Sequence, residues 1–538
     1  MTADTVTPYQ PDQQTGRDGF GQLLRAEWTK FRTVRGWVIG AVVAVLVMAG
    51  LGLFVGGASS SSCQSATGAS GAPARSGNAC GGTVNPVGPG GEPVTDSFYF
   101  VRQPLAGNGS ITVRITSLTG LLPSSNPAAQ GPIDTRPGLV PWAKAGLIVK
   151  DGTTPGSAYA AIMVTSDHGV RMQDDYTSDI AGRAGTVSPA SPRWLRLTRS
   201  GDTITGYDSA DGTHWSQVGT VHLAGLPSTV QAGMFAASPA WQQITQNFGG
   251  GENGMVAPSQ DTAVFDQLSR SGTWPAGAWT GDYIDADGGS GIGGFHQASG
   301  RFTVTGSGDI APTVPGQAGD TGTTVTQHLI GTFAGLIAVI VVATMFITAE
   351  YRRGLIRVTL AATPGRGRVL AAKAVVIAAV TFAVGLVSSA IVVTVGQRVL
   401  RDHGVYVWPV TALTEARVIV GTAAVLAVAA VIALAIGTIL RRGAGAVAAV
   451  IVVIVLPYLL TVTTPLLPAG PTDWLARVTP AAAFAVQQTL IQYPQVNNAY
   501  VPSGGYYPLA PWAGLAVLCG WAAVALALAV WTLTRRDA

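Results

Sequence analysis

Between Glu350 and Lys373 the chain reads EYRRGLIRVTLAATPGRGRVLAAK, setting Arg352, Arg353, Arg357, Arg366, Arg368 and Lys373 against one carboxylate, Glu350. Tyr351, Leu355, Val358 and Ala362 fall at i, i+4, i+7 and i+11, which predicts an amphipathic helix over 350–363 with Arg353 and Arg357 beside each other. Thr363-Pro364 should stop that helix, and Gly365 and Gly367 should turn the chain back. A basic helix held between two apolar runs can act as a lever for a soluble partner. Basic loops also orient membrane spans without binding anything, and both readings stand at this point. A second cationic stretch, FGQLLRAEWTKFRTVRGW, places Leu24, Trp28 and Phe31 on one stripe with Arg25, Lys30, Arg32 and Arg35 around it. It predicts a helix lying in a membrane interface, anchored by Trp28 and Trp37, or an ordinary basic flank.

Other chemistry is thin. No G-x-x-x-x-G-K-[ST] loop occurs, so the chain has no phosphate-binding loop of that kind for ATP. Glycoside hydrolysis needs two carboxylates flanking one bond. From Phe98 to Thr305 the one Glu is Glu252, and on a strand the adjacent Asp174 and Asp175 would point to opposite faces. His168, His214, His222 and His296 are scattered and read as turn or surface residues. The stretch DSADGTHW reads as a hairpin turn with Asp211-Gly212 at its tip, although it resembles an Asp-box. Asp151, Asp167 and Asp208 stand in no spaced calcium loop, and no metal site is expected. Asn108-Gly109-Ser110 is a glycosylation sequon by pattern alone. No catalytic residue is expected.

The elements that must position these residues are of two materials. In 538 residues, 47% are hydrophobic and 11% charged, which points to a membrane protein. Six segments are long and apolar enough to span, at 37–57, 328–349, 374–397, 416–440, 444–466 and 509–533. None has a charge in its central part, which disfavours proton- or sodium-coupled transport. Thr381, Ser388, Ser389, Thr461 and Thr464 read as helix-packing hydroxyls. The segment 37–57 follows a long charged stretch and has no cleavage motif after it, so it reads as an anchor rather than a signal peptide. Basic residues before the first span, in 350–373, at Arg441-Arg442 and at Arg535-Arg536 put both termini and the 350–373 loop in the cytoplasm. The segment 58–327 then lies outside. Cys63 and Cys80 fall in that oxidising segment and predict a disulfide, while Cys519 reads as a packing residue.

Residues 58–95 are rich in Ser, Gly and Pro and read as a linker, and 313–327 as a second one. Between them the periodicity is two. ITVRITSL puts Ile111, Val113 and Ile115 on one face and Thr112, Arg114 and Thr116 on the other, and several similar short strands predict an all-β sandwich over 96–312. FYFVRQPLAGNGSITVRITSL, WAKAGLIVKDGTTPGSAYAAIMVTSDHGVRMQ and RWLRLTRSGDTITGYDSADGTHWSQVG resemble the concanavalin A-like (LamG-like) jelly-roll modules that often accompany secreted carbohydrate-active proteins. In those modules a strand like GRFTVTGSGDI precedes FYFVRQPL. Here it comes last, at Gly300–Ile310, which implies a circular permutation with both ends at the membrane-facing side.

The membrane portion, 20–57 and 328–538, resembles bacterial permease subunits of type-2 ABC exporters. The resemblance rests on LLRAEWTKFRTVRGW, FITAEYRRGLIRVTLAATPGRGRVLAAK and WLARVTPAAAFAVQQ. It implies a six-span subunit that pairs as a homo- or heterodimer in the lipid bilayer and docks a separate ATPase subunit, which binds ATP and magnesium. This chain would then need no cofactor of its own. The coupling residues map to Glu350, Tyr351, Arg352, Arg353, Gly354, Leu355 and Arg357. The interface helix maps to Leu24, Glu27, Trp28, Lys30 and Phe31, and WLARVTPAAAFAVQQTL to a short helix dipping back before the sixth span. The large β segment departs from the short loop usual there. The expected fold is a six-helix transmembrane bundle carrying an extracytoplasmic jelly roll between spans 1 and 2. The expected function is an exporter permease whose outer domain binds or gates substrate, with a glycan or cell-envelope ligand as its candidate and no nucleic-acid partner. The alternative is a membrane-displayed lectin-like sensor or adhesion protein without transport.

Overall fold

The computed structural model describes residues 19–68, 85–124, 134–246, 252–285, 291–315, 323–362, 365–403, 405–462, 469–496, 498, 500, 502 and 505–535. Helix α1 (Phe20–Thr33) leads through extended Val34 into α2 (Arg35–Gly68). The first part of the expected 58–95 linker therefore continues the helix of the first apolar segment. Once a helix is nucleated, each added residue gains a hydrogen bond at little further cost. Cys80 lies outside the described residues and Cys63 is described only as helical backbone, so the expected disulfide falls outside them too.

Then come β1 (Val94–Asp96), β2 (Phe98–Pro123), β3 (Thr135–Pro137), β4 (Lys144–Lys150), β5 (Tyr159–Thr165) and β6 (Val170–Asp174). They are followed by β7 (Ser178–Ala181), β8 (Arg193–Ser200), β9 (Thr203–Ser209), β10 (Ser216–His222), β11 (Thr229–Ala237) and β12 (Trp241–Gln246). The last six are β13 (Glu252–Ala257), β14 (Gln260–Thr273), β15 (Thr280–Ile284), β16 (Gly294–Ala298), β17 (Arg301–Gly306) and β18 (Ile310–Pro312).

Strand β2 belongs to both layers. Its first limb pairs with β11 and β15, and its second with β8, β14 and β3. The turn between the limbs passes through Gly107 at φ 65°, a conformation costly for residues with a Cβ. Val101, Leu105, Leu147 and Met234 from the first layer meet Ile111, Val113, Ile115, Leu197 and Phe265 from the second in one buried core. The predicted alternation of ITVRITSL is therefore the one observed. Strands β4 and β5 are buried at every position, hence on both faces. Their second face carries Phe98, Phe100, Ile148, Tyr159 and Phe235, covered by Val94 of β1 and Ile310 of β18. These two strands pair antiparallel, Val94 opposite Pro312. Strand β17 lies beside β14 and β16, and β14 separates it from β2. The strand of GRFTVTGSGDI is thus one strand removed from the second limb of β2, while its last residue, Ile310, lies opposite Asp96, just before FYFVRQPL.

The helical part comprises α3 (Val325–His328), α4 (Gly331–Arg352), α5 (Leu355–Ala362) and α6 (Arg366–Ile391), the last continuing through a π turn into α7 (Gln397–Asp402). After α8 (Ala412–Leu440), α9 (Gly443–Val450) runs through a second π turn into α10 (Leu456–Val462). Helix α11 (Ala469–Val478) precedes a 3-10 segment, Pro480–Gln487, and α12 (Pro511–Arg535) closes the fold. Among the described residues, six helical stretches are long and apolar enough to cross a membrane: Arg35–Phe54, Gly331–Arg352, Arg366–Asp402, Ala412–Leu440, Gly443–Thr461 and Pro511–Arg535. Helix α8 is the central one, packing on α4, α6 and α12. Glycines allow that closeness, since a Cβ on Gly385 would stand 2.7 Å from the Ala423 backbone. Thr381, Ser388, Ser389 and Thr461 donate to carbonyls three or four residues back in their own helices, which fits a packing role. Thr464 lies outside the described residues.

Candidate functional site

The cationic stretch is not one helix. Helix α4 runs to Arg352, Arg353 caps it, and Gly354 turns the chain at φ 68° before α5 begins. A left-handed residue at this place ends a helix, and glycine adopts it without a Cβ clash. The helix expected from Glu350 is therefore broken after its first turn. Its stripe is broken too. Ile356 packs inward on the core, whereas Leu355 (48% exposed) and Val358 (68% exposed) face outward beside exposed Arg353 and Arg357. Tyr351 is half-buried, with the Arg441 guanidinium 5.2 Å from its ring centre. Arg352 and Gly354 are exposed.

Glu350 points the other way, into a buried ion cluster. Lys373, on the third turn of α6, is 0% exposed and places its Nζ 2.6 Å from Glu350 Oε1 and 2.6 Å from Glu27 Oε2. Lys30 donates to Glu27 Oε1 at 2.8 Å and to Glu350 Oε1 at 3.4 Å. Two carboxylates and two ammonium groups thus tie α1, the end of α4 and the start of α6 together. Burial pulls the Lys30 ammonium down, but its contacts with Glu27 and Glu350 outweigh that and hold its pKa above the usual lysine value. Phe346 covers the cluster, 5.1 Å from Lys373 Nζ and in edge contact with both Phe31 and Trp37.

In α1 the predicted stripe divides. Phe31 is buried and Leu24 half-buried against the helical core, while Trp28 is 46% exposed. The cluster brings together Glu27 and Lys30 of the expected interface helix, Glu350 of the expected coupling residues, and Lys373, which neither expected site contains. A usable signal existed: Glu27 and Glu350 are the lone carboxylates of the two basic stretches, and each needs a cation once its helix is packed.

The β domain has buried charges of its own. Lys150 Nζ donates to Asp96 Oδ2 at 2.8 Å, to the Ser157 carbonyl at 2.9 Å and to Tyr176 Oη at 3.0 Å. Tyr176 in turn donates to Asp96 Oδ2 at 2.8 Å. Desolvation lowers the Lys150 pKa and raises that of Tyr176. At the other end of β4, Lys144 Nζ meets Asp309 Oδ1 at 2.6 Å and donates to the Ile310 carbonyl at 3.0 Å. Both lysines therefore grip the strands by which the chain enters and leaves the domain. Beside β7, Gln495 of the 488–510 segment donates to the carbonyls of Tyr176 (3.2 Å) and Thr177 (3.3 Å). Val496 packs with Ala311 and Val314. The 3-10 segment Pro480–Gln487 is buried throughout, and Gln487 donates to Thr422 Oγ1 at 3.1 Å.

The residues tested for other chemistry are accounted for locally. Asp174 ends β6, and Asp175 sits in the following turn at φ 41° accepting from Tyr159 N, so the two do not alternate along a strand. Asp211 accepts from the backbone N–H groups of Thr213 and His214 at the tip of the β9–β10 hairpin, which holds its carboxyl far below the usual range. Asp208 pairs with Arg183 at 2.9 Å. Among the described residues no group of three His, Cys, Asp or Glu side chains could hold a metal.

Comparison with known proteins gives one informative match. Residues 204–538 match the sequence profile of the ABC-2 family transporter protein. No curated protein matches the chain. Among solved structures, a functionally unknown protein from Saccharomyces cerevisiae is similar at 17% identity, covering 34% of this chain and 77% of its own, with a TM-score of 0.20. The GH43 BlXynB protein from Bacillus licheniformis is similar at 14% identity, covering 31% and 28%, with a TM-score of 0.17. Scytalido-glutamic peptidase with a transition state analog inhibitor is similar at 9% identity, covering 39% and 98%, with a TM-score of 0.23.

Proposed function

The chain belongs to the ABC-2 family of transporters, and from that premise we propose that it is the permease subunit of an ATP-driven exporter, energised by a separate ATPase docking on α5. The multi-pass membrane part is then oriented with both termini and α5 in the cytoplasm, as the basic residues at the span ends favour. The β domain lies outside, a jelly-roll module that binds or gates substrate, and two permease subunits pair to form the pathway. ATP and magnesium belong to the partner.

One observation carries this reading. Helix α5 leaves Leu355 and Val358 uncovered beside exposed Arg353 and Arg357, while Glu350, one turn earlier, is locked by Lys373 to α1 and α6. A push on α5 therefore reaches three helices at once. Association of the ATPase subunits would shift α5, carry Glu350 with it and change how α1, α4 and α6 pack. Co-expression with an ATP-binding subunit tests this. The full-length chain should co-purify with that subunit, and Val358→Glu combined with Arg357→Glu should lower recovery by at least about tenfold, a loss of about 1.4 kcal/mol. Undiminished recovery, or wild-type transport after Glu350→Ala with Arg353→Glu, counts against the docking assignment.

A further inference from the structure

An open groove runs along the membrane face between α6 and the α1–α2 elbow. On α6, Ala379, Ala383 and Val387 recur at helical spacing, and on α2 Val38, Val42 and Val45 do the same. The gap stays open because alanines at 379 and 383 are too short to fill it, leaving about 510 Å³. The nine residues of α6 from Ala379 to Val387 give it a length of about 12 Å. One end is polar: Arg32 and Trp28 of α1 stand at the mouth, and Arg32 is the one charged side chain of the lining. Water does not suit the apolar stretch beyond it, which offers no polar partners.

Among the described residues the charge at the mouth is unpaired. The one carboxylate of α1, Glu27, is turned inward onto Lys30 and Lys373. Among the described residues Arg25, Arg32 and Arg35, all exposed, form no ion pair. A cationic rim over an apolar trough fits an amphiphile with an anionic head, and a membrane supplies one class of these in quantity. We propose that this groove is a binding site for an anionic phospholipid, its phosphate on Arg32 and one acyl chain lying between α2 and α6. Phe31 lines the trough and also packs edge-on against Phe346, which covers the ion cluster. The bound lipid thus buttresses the helix that carries Glu27. The site needs only the bilayer, so it stands or falls separately from ATPase docking.

The test uses the full-length protein in nanodiscs with a phosphatidylglycerol or a phosphatidylcholine carrying a photoreactive group on the same acyl chain. Adducts mapped by mass spectrometry should fall on 38–45 and 379–387. The phosphatidylglycerol yield should be about five times the phosphatidylcholine yield, the factor for about 1 kcal/mol per basic residue at an anionic headgroup. Arg32→Gln, an exposed substitution, should bring the two yields together, and Ala383→Trp should remove groove adducts while sparing those elsewhere. Equal yields from both lipids in the wild type, no change with Arg32→Gln, or a groove unlabelled because a second copy covers it would each overturn the proposal.

Discussion

Two of the buried charge systems in this molecule differ in how many elements they join and in how far water reaches them. In the β domain, Lys150 directs its three donors to one carboxylate, one carbonyl and one phenol, all within a single domain. Near the α5 end of the membrane part, Lys373 is shared between carboxylates of two different helices, Glu350 Oε2 has no hydrogen-bond partner, and Lys30 is 41% exposed. Each set leaves one carboxylate oxygen without a hydrogen-bond partner, Asp96 Oδ1 in the first and Glu350 Oε2 in the second, so the difference lies in exposure and in how many elements each set joins. The second set includes a part-exposed cation, Lys30, within reach of both carboxylates, so it can exchange partners when helices shift. We infer that the first fixes geometry and the second permits it to change.

The sharpest way to break the contrast is Lys150→Met. It strands Asp96 with no compensating cation and should cost about 3–5 kcal/mol in denaturant unfolding of the detergent-solubilised protein, most of it regained by adding Asp96→Leu. Lys373→Met should cost less, about 2 kcal/mol, because Lys30 already reaches both Glu27 and Glu350. If the two losses are equal, Lys30 does not act as a reserve.

Asp261 sharpens the comparison through pH. It is fully buried, and desolvation holds its carboxyl well above the usual value against the smaller opposing pull of nearby backbone N–H groups and Lys144. The protonated form therefore favours the folded state. The stability it lends is whole below the unfolded pKa of about 3.9 and is lost as pH rises through the folded value. Asp261→Asn should gain on the wild type by up to about 1.4 kcal/mol per pH unit within that window, read as Tm from pH 4 to 8. The smallest effect is at the join between the regions. Gln495→Ala leaves two carbonyls unpaired and should cost about 1 kcal/mol, seen as faster hydrogen exchange at 175–177 with the β-domain core unchanged.

Much of this architecture was legible in the chain. Apolar run length marked the six long helices, and period-two alternation marked the inward face of β2, because both patterns follow directly from burial. The ends of elements were less legible. Gly354 ended α4 inside a stretch whose spacing read as continuous, since one left-handed residue resets the helical phase without disturbing the composition around it. That reset put Leu355 and Val358 on the outside and Ile356 on the inside. The Glu27–Lys373 pair spans 346 positions and Lys373–Glu350 spans 23, and no local pattern reports a partner at such separations. Strand neighbours escaped for the same reason: pairing of β17 with β14 is decided by the fold of the whole sandwich.

The pairing of β1 with β18 has a consequence for how such a chain could arise. Residues facing each other across an antiparallel pair lie about 5 Å apart, so Val94 and Pro312 bring the flanking segments almost together. A tight turn of a few residues could bridge that distance. The whole of 95–311 therefore enters and leaves through one pair of neighbouring strands, its further contacts with the membrane part lying at Gln495 and Val496. A chain joined directly across that pair should still assemble its membrane part.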